Sequence, residues 1–445
     1  MRLDSTQSCD TVELGFTCQA DISHSWGQYS PYFAVNPDTI VIPSDCEIMF
    51  VQVLSRHGAR YPTKSKSEAY SQLIKRIQDT ATAFHSEYAF LEQYKYQLGT
   101  DDLTIFGQNQ MAKSGIKFYN QYQSLARNHV PFIRASGSDR VVASAEFFIH
   151  GFRDTKSKDA SANKTNAPPQ VDVVIWEGHG FNNTLDSGNC PAFDDHTEGK
   201  DARARFLMAF APRILERILD NLPEADLSTA DIPYLMDLCP FETVAYDGLG
   251  IHDKISSFCA LFTLDEWRWY DYYQTLDKYY GHGAGDSLGA TQGIGFVNEL
   301  IARMTNTAVE DQTTVNHTLD FDPGTFPLGL PLYVDFSHDN TMTSIFTALG
   351  LYNSTKPLST TRPQSIEETN GYSAAWTVPF AARAYIEMMQ CPSQGTEPLV
   401  RILVNDRVVP LHGCTVDRLG RCSRSDFVRG LSFARTGGNW DSCND

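Results

Sequence analysis

The segment from residue 56 to residue 63 combines side chains that can bind and attack a phosphate group. It runs Arg56-His57-Gly58-Ala59-Arg60-Tyr61-Pro62-Thr63 and directly follows an apolar run at 48–54. Cations beside a histidine lower its pKa, so the imidazole stays neutral and nucleophilic in acid. Guanidinium groups also bind phosphate oxygens through forked pairs of N–H donors. We therefore predict that His57 attacks a phosphate ester that Arg56 and Arg60 hold, although such a tripeptide also arises by chance.

Two more predicted strands end in residues suited to the same reaction. Arg134 lies in the apolar segment 131–135, and His338 and Asp339 follow the segment 332–336. In an open α/β sheet, ligands bind beyond the carboxyl ends of the strands, so these side chains are expected to converge. Arg134 and His338 would hold phosphate oxygens, and Asp339 would protonate the leaving alkoxide and later activate water. Alternatively, Arg134 is a surface arginine, and His338-Asp339 is an ordinary N-cap of the helix that follows.

The elements that must position these residues alternate along the chain. Short apolar runs predict strands at 48–54, 131–135, 171–176, 332–336 and 400–404. Helical periodicity predicts a helix from Tyr70 that ends near Gly99, and further helices at 108–127, 206–222, 264–280 and 293–304. This alternation indicates an α/β sheet covered by helices.

The region 179–319 has almost no strand signal, and it is predicted to form a smaller, inserted all-α lobe. The predicted division is an α/β lobe in three parts (1–65, 105–178 and 320–445), a helical lobe or bridging helix at 66–104, and the inserted lobe at 179–319.

Composition excludes several classes of function. The chain has 445 residues, 42% of them hydrophobic, and a formal charge of −18 at pH 7. It lacks a basic stripe for nucleic acid and an apolar run of about 18 residues for a membrane span. The negative charge would repel an anionic substrate at neutral pH and less so near pH 5, as carboxylates approach neutrality. No metal or cofactor is expected, because the arginines can stabilise the phosphoryl charge.

The cysteines indicate an oxidising compartment. Ten cysteines, without the short paired spacings of a zinc site, accompany Asn-x-Ser/Thr sequons at Asn163, Asn182, Asn316 and Asn353. Together they predict a secreted, disulfide-linked glycoprotein. The first residues show no apolar leader, so either a leader has been removed or the protein is cytosolic, and the cysteines favour removal.

Longer segments resemble the histidine acid phosphatase family and, within it, the secreted fungal phytases. The resemblance covers nearly the whole chain. It rests on the segment 56–63 and on the segments 26–33, 278–285, 292–296 and 336–340.

The resemblance implies a phosphoglycerate-mutase-like α/β sheet flanked by helices, with a smaller helical lobe and the site between them. It implies a phosphohistidine at His57, proton donation by Asp339, and phosphate binding by Arg56, Arg60, Arg134 and His338. Gln28, Lys278 and Asn340 match positions of the outer substrate pocket, although Lys278 could instead be a solvated helix lysine. The implied disulfides are Cys9–Cys18, Cys46–Cys391, Cys190–Cys443, Cys239–Cys259 and Cys414–Cys422; sequence alone leaves the pairing open.

The function expected from this resemblance is a phytase that hydrolyses myo-inositol hexakisphosphate, with 3-phytase regiochemistry favoured and an optimum of about pH 4 to 6. A broad-specificity acid phosphatase with the same centre is the first alternative. A non-catalytic inositol-phosphate-binding glycoprotein is the second, and the His57/Asp339 pair speaks against it. A phosphoglycerate mutase relative would share Arg-His-Gly, but the cysteines and sequons disfavour it. We expect a monomer.

Overall fold

The protein is built around a mixed β-sheet, seen in a computed structural model that describes residues 8–249 and 254–444. The strands are β1 (Asp10–Thr11), β2 (Gly15–Phe16), β3 (Glu47–Arg56), β4 (Phe132–Ser136), β5 (Val173–Ile175), β6 (Leu332–Ser337), β7 (Arg383–Gln390), β8 (Leu399–Val404), β9 (Arg407–Val409) and β10 (Cys422–Ser423). The order across the sheet is β10-β8-β7-β3-β6-β4-β5, with β9 beside β8; β1 and β2 form a separate hairpin.

Four neighbouring strands of this sheet are parallel. β3 pairs with β6, β6 with β4, and β4 with β5, all in parallel register. β7 and β8 continue the sheet in antiparallel fashion on the other side of β3. The carboxyl ends of β3, β6, β4 and β5 therefore meet at one edge, where a ligand site is expected.

Helices cover both faces of the sheet and form most of the remaining structure. They are α1 (Ala20–Ser23), α2 (Lys64–Thr80), α3 (Ile105–Gln121), α4 (Gln123–Ala126), α5 (Asp139–Lys158), α6 (Pro191–Asp194), α7 (Glu198–Asn221), α8 (Ile232–Ala245), α9 (Leu264–His282), α10 (Ile294–Thr305), α11 (His317–Asp320), α12 (Asp339–Ala348), α13 (Ala374–Thr377), α14 (Arg424–Gly430) and α15 (Ser432–Arg435).

The two faces of β3 supply two different cores, because side chains alternate along a strand. Val51 and Val53 pack with α3 and α5, in a cluster that includes Phe118 and Phe148. Phe50 and Leu54 belong to the larger cluster on the opposite face, which extends into α7, α8, α9 and α10. The site edge is thus supported from both sides.

In the region 179–319, the residues that the structure describes form helices and contribute no strand to the sheet. α10 nevertheless lies on the sheet itself. Nη1 of Arg303 donates to Oε1 of Gln52 at 2.7 Å and to Oδ2 of Asp335 at 2.8 Å. The residue boundaries of the two lobes remain predictions.

α2 is shorter than the helix predicted to end near Gly99. After Thr80 the backbone N–H groups of Thr82 and His85 donate to the carbonyls of Pro223 and Asn221, at 2.9 and 3.0 Å. These bonds to the end of α7 replace bonds to the preceding helical turn. A 3₁₀ helix at Ser86–Glu92 then keeps apolar residues three apart, so the apolar periodicity continues beyond the α-helix.

β7 is a strand that the apolar pattern did not predict, because buried charges interrupt it. Glu387 accepts a hydrogen bond from Nε of Arg401 on β8 at 2.5 Å. The guanidinium of Arg383 lies 3.6 Å from the ring centroid of Tyr32. Each charge has a partner, which offsets the cost of burying it.

All ten cysteines are paired, as the family resemblance implied. The structure joins Cys9–Cys18, Cys46–Cys391, Cys190–Cys443, Cys239–Cys259 and Cys414–Cys422. Across residues 8–249 and 254–444, no helix combines the length and apolar character needed to span a membrane.

Candidate active site

The four parallel strands each deliver a polar side chain to the same edge. β3 leads into His57, and β6 leads into His338 and Asp339. β4 is followed by Arg140 in the first turn of α5, and β5 by Glu177 two residues after its end. The imidazole centroids of His57 and His338 lie 5.7 Å apart.

His57 is held rigidly in one tautomer. Its Nδ1 lies 2.8 Å from the backbone carbonyl of Gly58, so Nδ1–H donates and Nε2 keeps its lone pair. The backbone N–H of His57 donates to the carbonyl of Ser337 at 3.2 Å, and its own carbonyl accepts from Ala381 at 2.9 Å. Burial, and then the cations Arg56 and Arg60, lower the pKa of His57 well below its usual value. The imidazole is therefore neutral at acidic pH, and the lone pair of its Nε2 is available.

Gly58 is required because helix α3 approaches this loop closely. A Cβ at Gly58 would lie 2.5 Å from the carbonyl oxygen of Gly107. The loop is further held by Ser144 and Gln110, which accept hydrogen bonds from the N–H groups of Gly58 and Ala59, both at 3.0 Å.

Arg56 is fully buried and anchored on two sides. Its Nη1 donates to the backbone carbonyls of Gln28 and Val378, and its Nη2 lies 3.2 Å from Oδ2 of Asp339. Its guanidinium also lies 4.7 Å from the ring centroid of Phe380. Burial lowers the pKa of Arg56 to about 10, against the opposing effect of Asp339, so the group stays cationic in acid.

Three arginines leave donors unused around His57. In the described part of the chain, the buried Nε atoms of Arg56, Arg60 and Arg140 have no hydrogen-bond partner. All three guanidiniums lie close enough to His57 to lower its pKa. Buried donors without partners are costly, and an anion at this edge would satisfy them.

Arg134 does not join this cluster, contrary to the sequence prediction. It lies in the middle of β4, where its Nε donates to Oδ1 of Asp335 at 2.8 Å and its Nη2 to Oε2 of Glu299 at 2.5 Å. Those buried carboxylates, one on β6 and one on α10, occupy its donors. Arg140, six residues later, takes the expected place because β4 runs to Ser136 and the chain then turns into α5. Its position in the first turn after a strand was the signal available in the sequence.

His338 is fixed by a carboxylate that the sequence pattern did not single out. Its Nε2 lies 2.8 Å from Oε1 of Glu177. The side chain of His338 is 12% exposed, so part of it faces the open edge where a substrate would enter.

Asp339 lies between two cations. Its Oδ2 is 3.2 Å from Nη2 of Arg56 and 3.0 Å from Nζ of Lys278. Burial acts to raise the pKa of Asp339, but Arg56 and Lys278 together outweigh it and hold the pKa well below its usual value. Without a ligand, this carboxyl group is therefore ionised.

The predicted outer residues lie beside Asp339 and Arg56. Nζ of Lys278 donates to Oδ1 of Asn340 at 2.5 Å and lies 3.7 Å from Asp277. Gln28 contributes its backbone carbonyl to Arg56, while its side-chain amide donates to Gln274 at 3.0 Å. The structure thus brings Gln28, Lys278 and Asn340 next to Arg56 and Asp339 at this edge of the sheet.

One group in the described residues could offer three ligands to a metal ion. Nδ1 of His196 and the carboxylates of Glu198 and Asp286 lie within 4.8 Å of one another. His196 and Asp286 are already hydrogen-bonded at 2.8 Å, and neither lies at the strand ends that carry His57 and Asp339.

Comparison with known proteins places this geometry among phosphatases. Residues 47–405 match the family model of the histidine phosphatase superfamily (branch 2). Phytase A of Aspergillus oryzae is 58% identical over 440 residues, which are 98% of this chain and 94% of the relative. Phytase A of Arthroderma benhamiae is 50% identical and covers 97% of this chain and 94% of the relative.

Solved structures share the fold at low sequence identity. The phytase from D. castellii superposes with a TM-score of 0.75 at 21% identity, over 96% of this chain and 87% of that chain. The Bifidobacterium longum multiple inositol polyphosphate phosphatase, in complex with inositol hexasulfate, gives a TM-score of 0.63 at 17% identity, over 90% of this chain and 96% of that chain.

Proposed function

This chain belongs to the histidine phosphatase superfamily (branch 2), and we propose that it is a phytase, a phosphoric monoester hydrolase that acts on myo-inositol hexakisphosphate at acidic pH. One observation carries the proposal: a neutral, buried His57 is surrounded by three guanidiniums whose buried Nε donors have no protein partner in the described residues. That arrangement suits a phosphate group placed in line with Nε2.

In the first step, Nε2 of His57 attacks phosphorus and the P–O bond to the inositol ring breaks. Arg56, Arg60, Arg140 and His338 hold the phosphoryl oxygens as their charge shifts in the transition state. Asp339 transfers a proton to the leaving oxygen, so an inositol alcohol departs. The Gly58 carbonyl, which accepts Nδ1–H, stabilises the positive charge that forms on the phosphorylated ring.

In the second step, water attacks phosphorus and the P–N bond breaks. Asp339, now a carboxylate, takes the proton from the water, and inorganic phosphate is released. His57 returns to its neutral form with Nδ1–H on Gly58. Asp339 holds the proton from water while phosphate is bound, and it ionises again when the site empties.

Lys278, the cation of the predicted outer substrate pocket, favours a substrate with several phosphate groups. Lys278 is 3% exposed in its side chain and lies beside Asp339, where the remaining phosphates of inositol hexakisphosphate would lie. Attack at the 3-position is proposed from resemblance alone.

A broad-specificity acid phosphatase is the second candidate, and one observation favours it. Nζ of Lys278 already contacts Asp339, Asn340 and Asp277. The two carboxylates partly neutralise its charge, so it attracts the outer phosphates of a polyphosphorylated substrate less strongly. Arg203 is likewise paired with Asp277, at 3.2 Å.

The choice between these candidates requires a direct comparison. We expect higher kcat/KM for inositol hexakisphosphate than for a simple aryl phosphate at pH 5. Lys278→Met should reduce kcat/KM for the hexakisphosphate about tenfold or more, and change the aryl ester far less. Faster turnover of the aryl ester by the unmodified enzyme would favour the acid phosphatase.

The covalent step has its own test. Acid-unstable phosphohistidine should be trapped at His57 by rapid quench and detected by mass spectrometry under neutral digestion. His57→Asn should abolish both the adduct and turnover. Turnover that persists in that variant would refute the nucleophile.

We also propose that the protein is a secreted glycoprotein. Five disulfides support an oxidising compartment, and the sequon residues Asn163 and Asn353 are exposed. Asn316 caps α11, and Asn182 donates to the carbonyl of Val315 at 2.9 Å. A monomer remains the prediction.

A further inference from the structure

We infer that Glu177 is a positioning residue for phosphate transfer: its carboxylate orients His338 and ties that side chain to the start of the helix that carries Arg140. The inference rests on the proposed role of His338 as a donor to the phosphate.

Glu177 joins three strand ends through one oxygen. Oε1 accepts from Nε2 of His338, which follows β6, at 2.8 Å. The same oxygen accepts from the backbone N–H of Ser138 at 3.0 Å. Ser138 is the N-cap residue of α5, whose first turn contains Arg140. A carboxylate after β5 therefore sets the relative placement of two groups that would bind one phosphate.

The bond also selects which nitrogen of His338 faces the substrate. Because Nε2–H is directed to Glu177, Nδ1 is left for a ligand; in the described residues Nδ1 has no hydrogen-bond partner. A histidine that donates through both nitrogens is an imidazolium, and an adjacent carboxylate stabilises that form. An imidazolium donor suits a phosphoryl group that gains negative charge.

The charges around Glu177 favour this role throughout the acidic range. Burial acts to raise the pKa of Glu177, but the bonds from His338 and from the Ser136–Ser138 segment lower it to about 2. Two further charged groups face the same place, Arg140 on α5 and Asp186 on the loop after β5. Burial raises the pKa of Asp186 to about 6, so Glu177 is the carboxylate that stays ionised in acid.

The test is a double-mutant cycle read as kcat/KM against pH. Glu177→Gln keeps the size and an acceptor oxygen but removes the charge. We expect it to lower kcat/KM about 10- to 100-fold and to move the high-pH limb of the profile to lower pH, because the ring of His338 no longer donates to a charged acceptor. In the His338→Ala background the same change should cost less than about twofold, because no ring is left to orient and the glutamine oxygen can still accept the bond from Ser138.

Two further variants separate this role from a general effect of charge or folding. Asp186→Asn removes a carboxyl group close to Glu177 that makes no bond to His338. It should leave the high-pH limb of the kcat/KM profile unchanged. Glu177→Asp keeps the charge but cannot reach both donors. It should lower kcat/KM while leaving the limb unmoved, and it keeps the test available if Glu177→Gln does not fold.

The outcomes are distinct. Equal losses from Glu177→Gln in both backgrounds would overturn the inference, as would an equal shift of the limb in Asp186→Asn. Full activity of His338→Ala would instead remove the proposed phosphate donor, and the inference would fall with it.

Discussion

His57 and Asp339 share one set of cations, and the consequences for the two groups are opposite. Arg56 lowers the pKa of both side chains. For the imidazole this maintains the neutral nucleophile. For the carboxyl group it removes the proton that the leaving oxygen requires. A bound phosphate group resolves the conflict, because its negative charge neutralises Arg56 and Lys278 and raises the pKa of Asp339 again.

We therefore predict that binding of a dianion is linked to proton uptake by Asp339. Sulfate is a suitable probe, since it carries no proton at pH 5. Calorimetry in buffers of different ionisation enthalpy should show uptake of roughly half to one proton per site. Asp339→Asn should bind sulfate without that uptake; equal uptake in the variant would assign the proton to another group.

The two arginines near β4 should separate stability from catalysis. Arg140→Ala should lower kcat/KM about 100- to 1,000-fold with little change in melting temperature, because it removes a donor to the transition state. Arg134→Met should cost about 3 to 5 kcal/mol of stability, because Glu299 loses its cation and Asp335 one of two.

Activity assays and thermal unfolding of the Arg140→Ala and Arg134→Met variants check these two predictions. The folded fraction of Arg134→Met should keep kcat/KM within about tenfold. A stable but inactive Arg134 variant would restore Arg134 to the phosphate site.

At the level of elements, helix α3 and the loop at residues 57–59, which carries His57, are in close backbone contact, so the position of each depends on the other. A Cβ at Gly107 would lie 1.9 Å from the carbonyl oxygen of Ala59, so only glycine fits there without movement. Because Ala59 follows His57 by two residues, any shift of the loop is transmitted to the nucleophile.

Gly107→Ala should therefore destabilise the protein by about 1 to 3 kcal/mol and also lower kcat, since a displaced loop misaligns Nε2 of His57. Gly188→Ala is the matched control, because a Cβ at Gly188 meets no atom within 4 Å. Unchanged kcat in a destabilised Gly107 variant would mean that the loop position does not depend on α3.

For the whole molecule, two partly buried carboxyl groups make stability depend on pH in the acidic range. Burial raises the pKa of Asp271 to about 6, and burial together with Glu299 raises that of Asp320 to about 8. In the unfolded chain both groups lose their protons near pH 4, whereas the folded protein retains them to higher pH. The folded state then binds more protons, so these groups make stability fall as pH rises from about 4 to 8.

Asp320→Asn should remove the contribution of Asp320 to this loss of stability with rising pH. The measured quantity is the melting temperature of the variant minus that of the unmodified protein. This difference should be larger at pH 7.5 than at pH 4, by about 2 °C or more. Asp220→Asn, at an exposed carboxylate on α7, should show no such difference. A pH-independent effect of Asp320→Asn would contradict the raised pKa.

Much of the fold and the centre of the site can be predicted from the sequence because the signals are local. The strands β3 and β6 contain apolar runs with a single polar residue each, Gln52 and Asp335, and His57, His338 and Asp339 follow these strands directly. β7 escapes such prediction because Arg383 and Glu387 find their partners only across the sheet. Apolar spacing also continued past Thr80, although the helix did not, because bonds to α7 end it.

The sequence by itself determined the chemistry of this protein: a histidine between arginines after one strand, and a histidine with an aspartate after another. Tertiary structure decided which arginine and which carboxylate join them. Arg134 and Arg140 are both arginines in or just after β4, but Arg134 meets buried carboxylates on β6 and α10, whereas Arg140 reaches the open edge. Glu177 acquires its place only because β5 pairs with β4, which in turn pairs with β6. Such roles depend on which side chains meet in space, and a one-dimensional pattern does not contain that information.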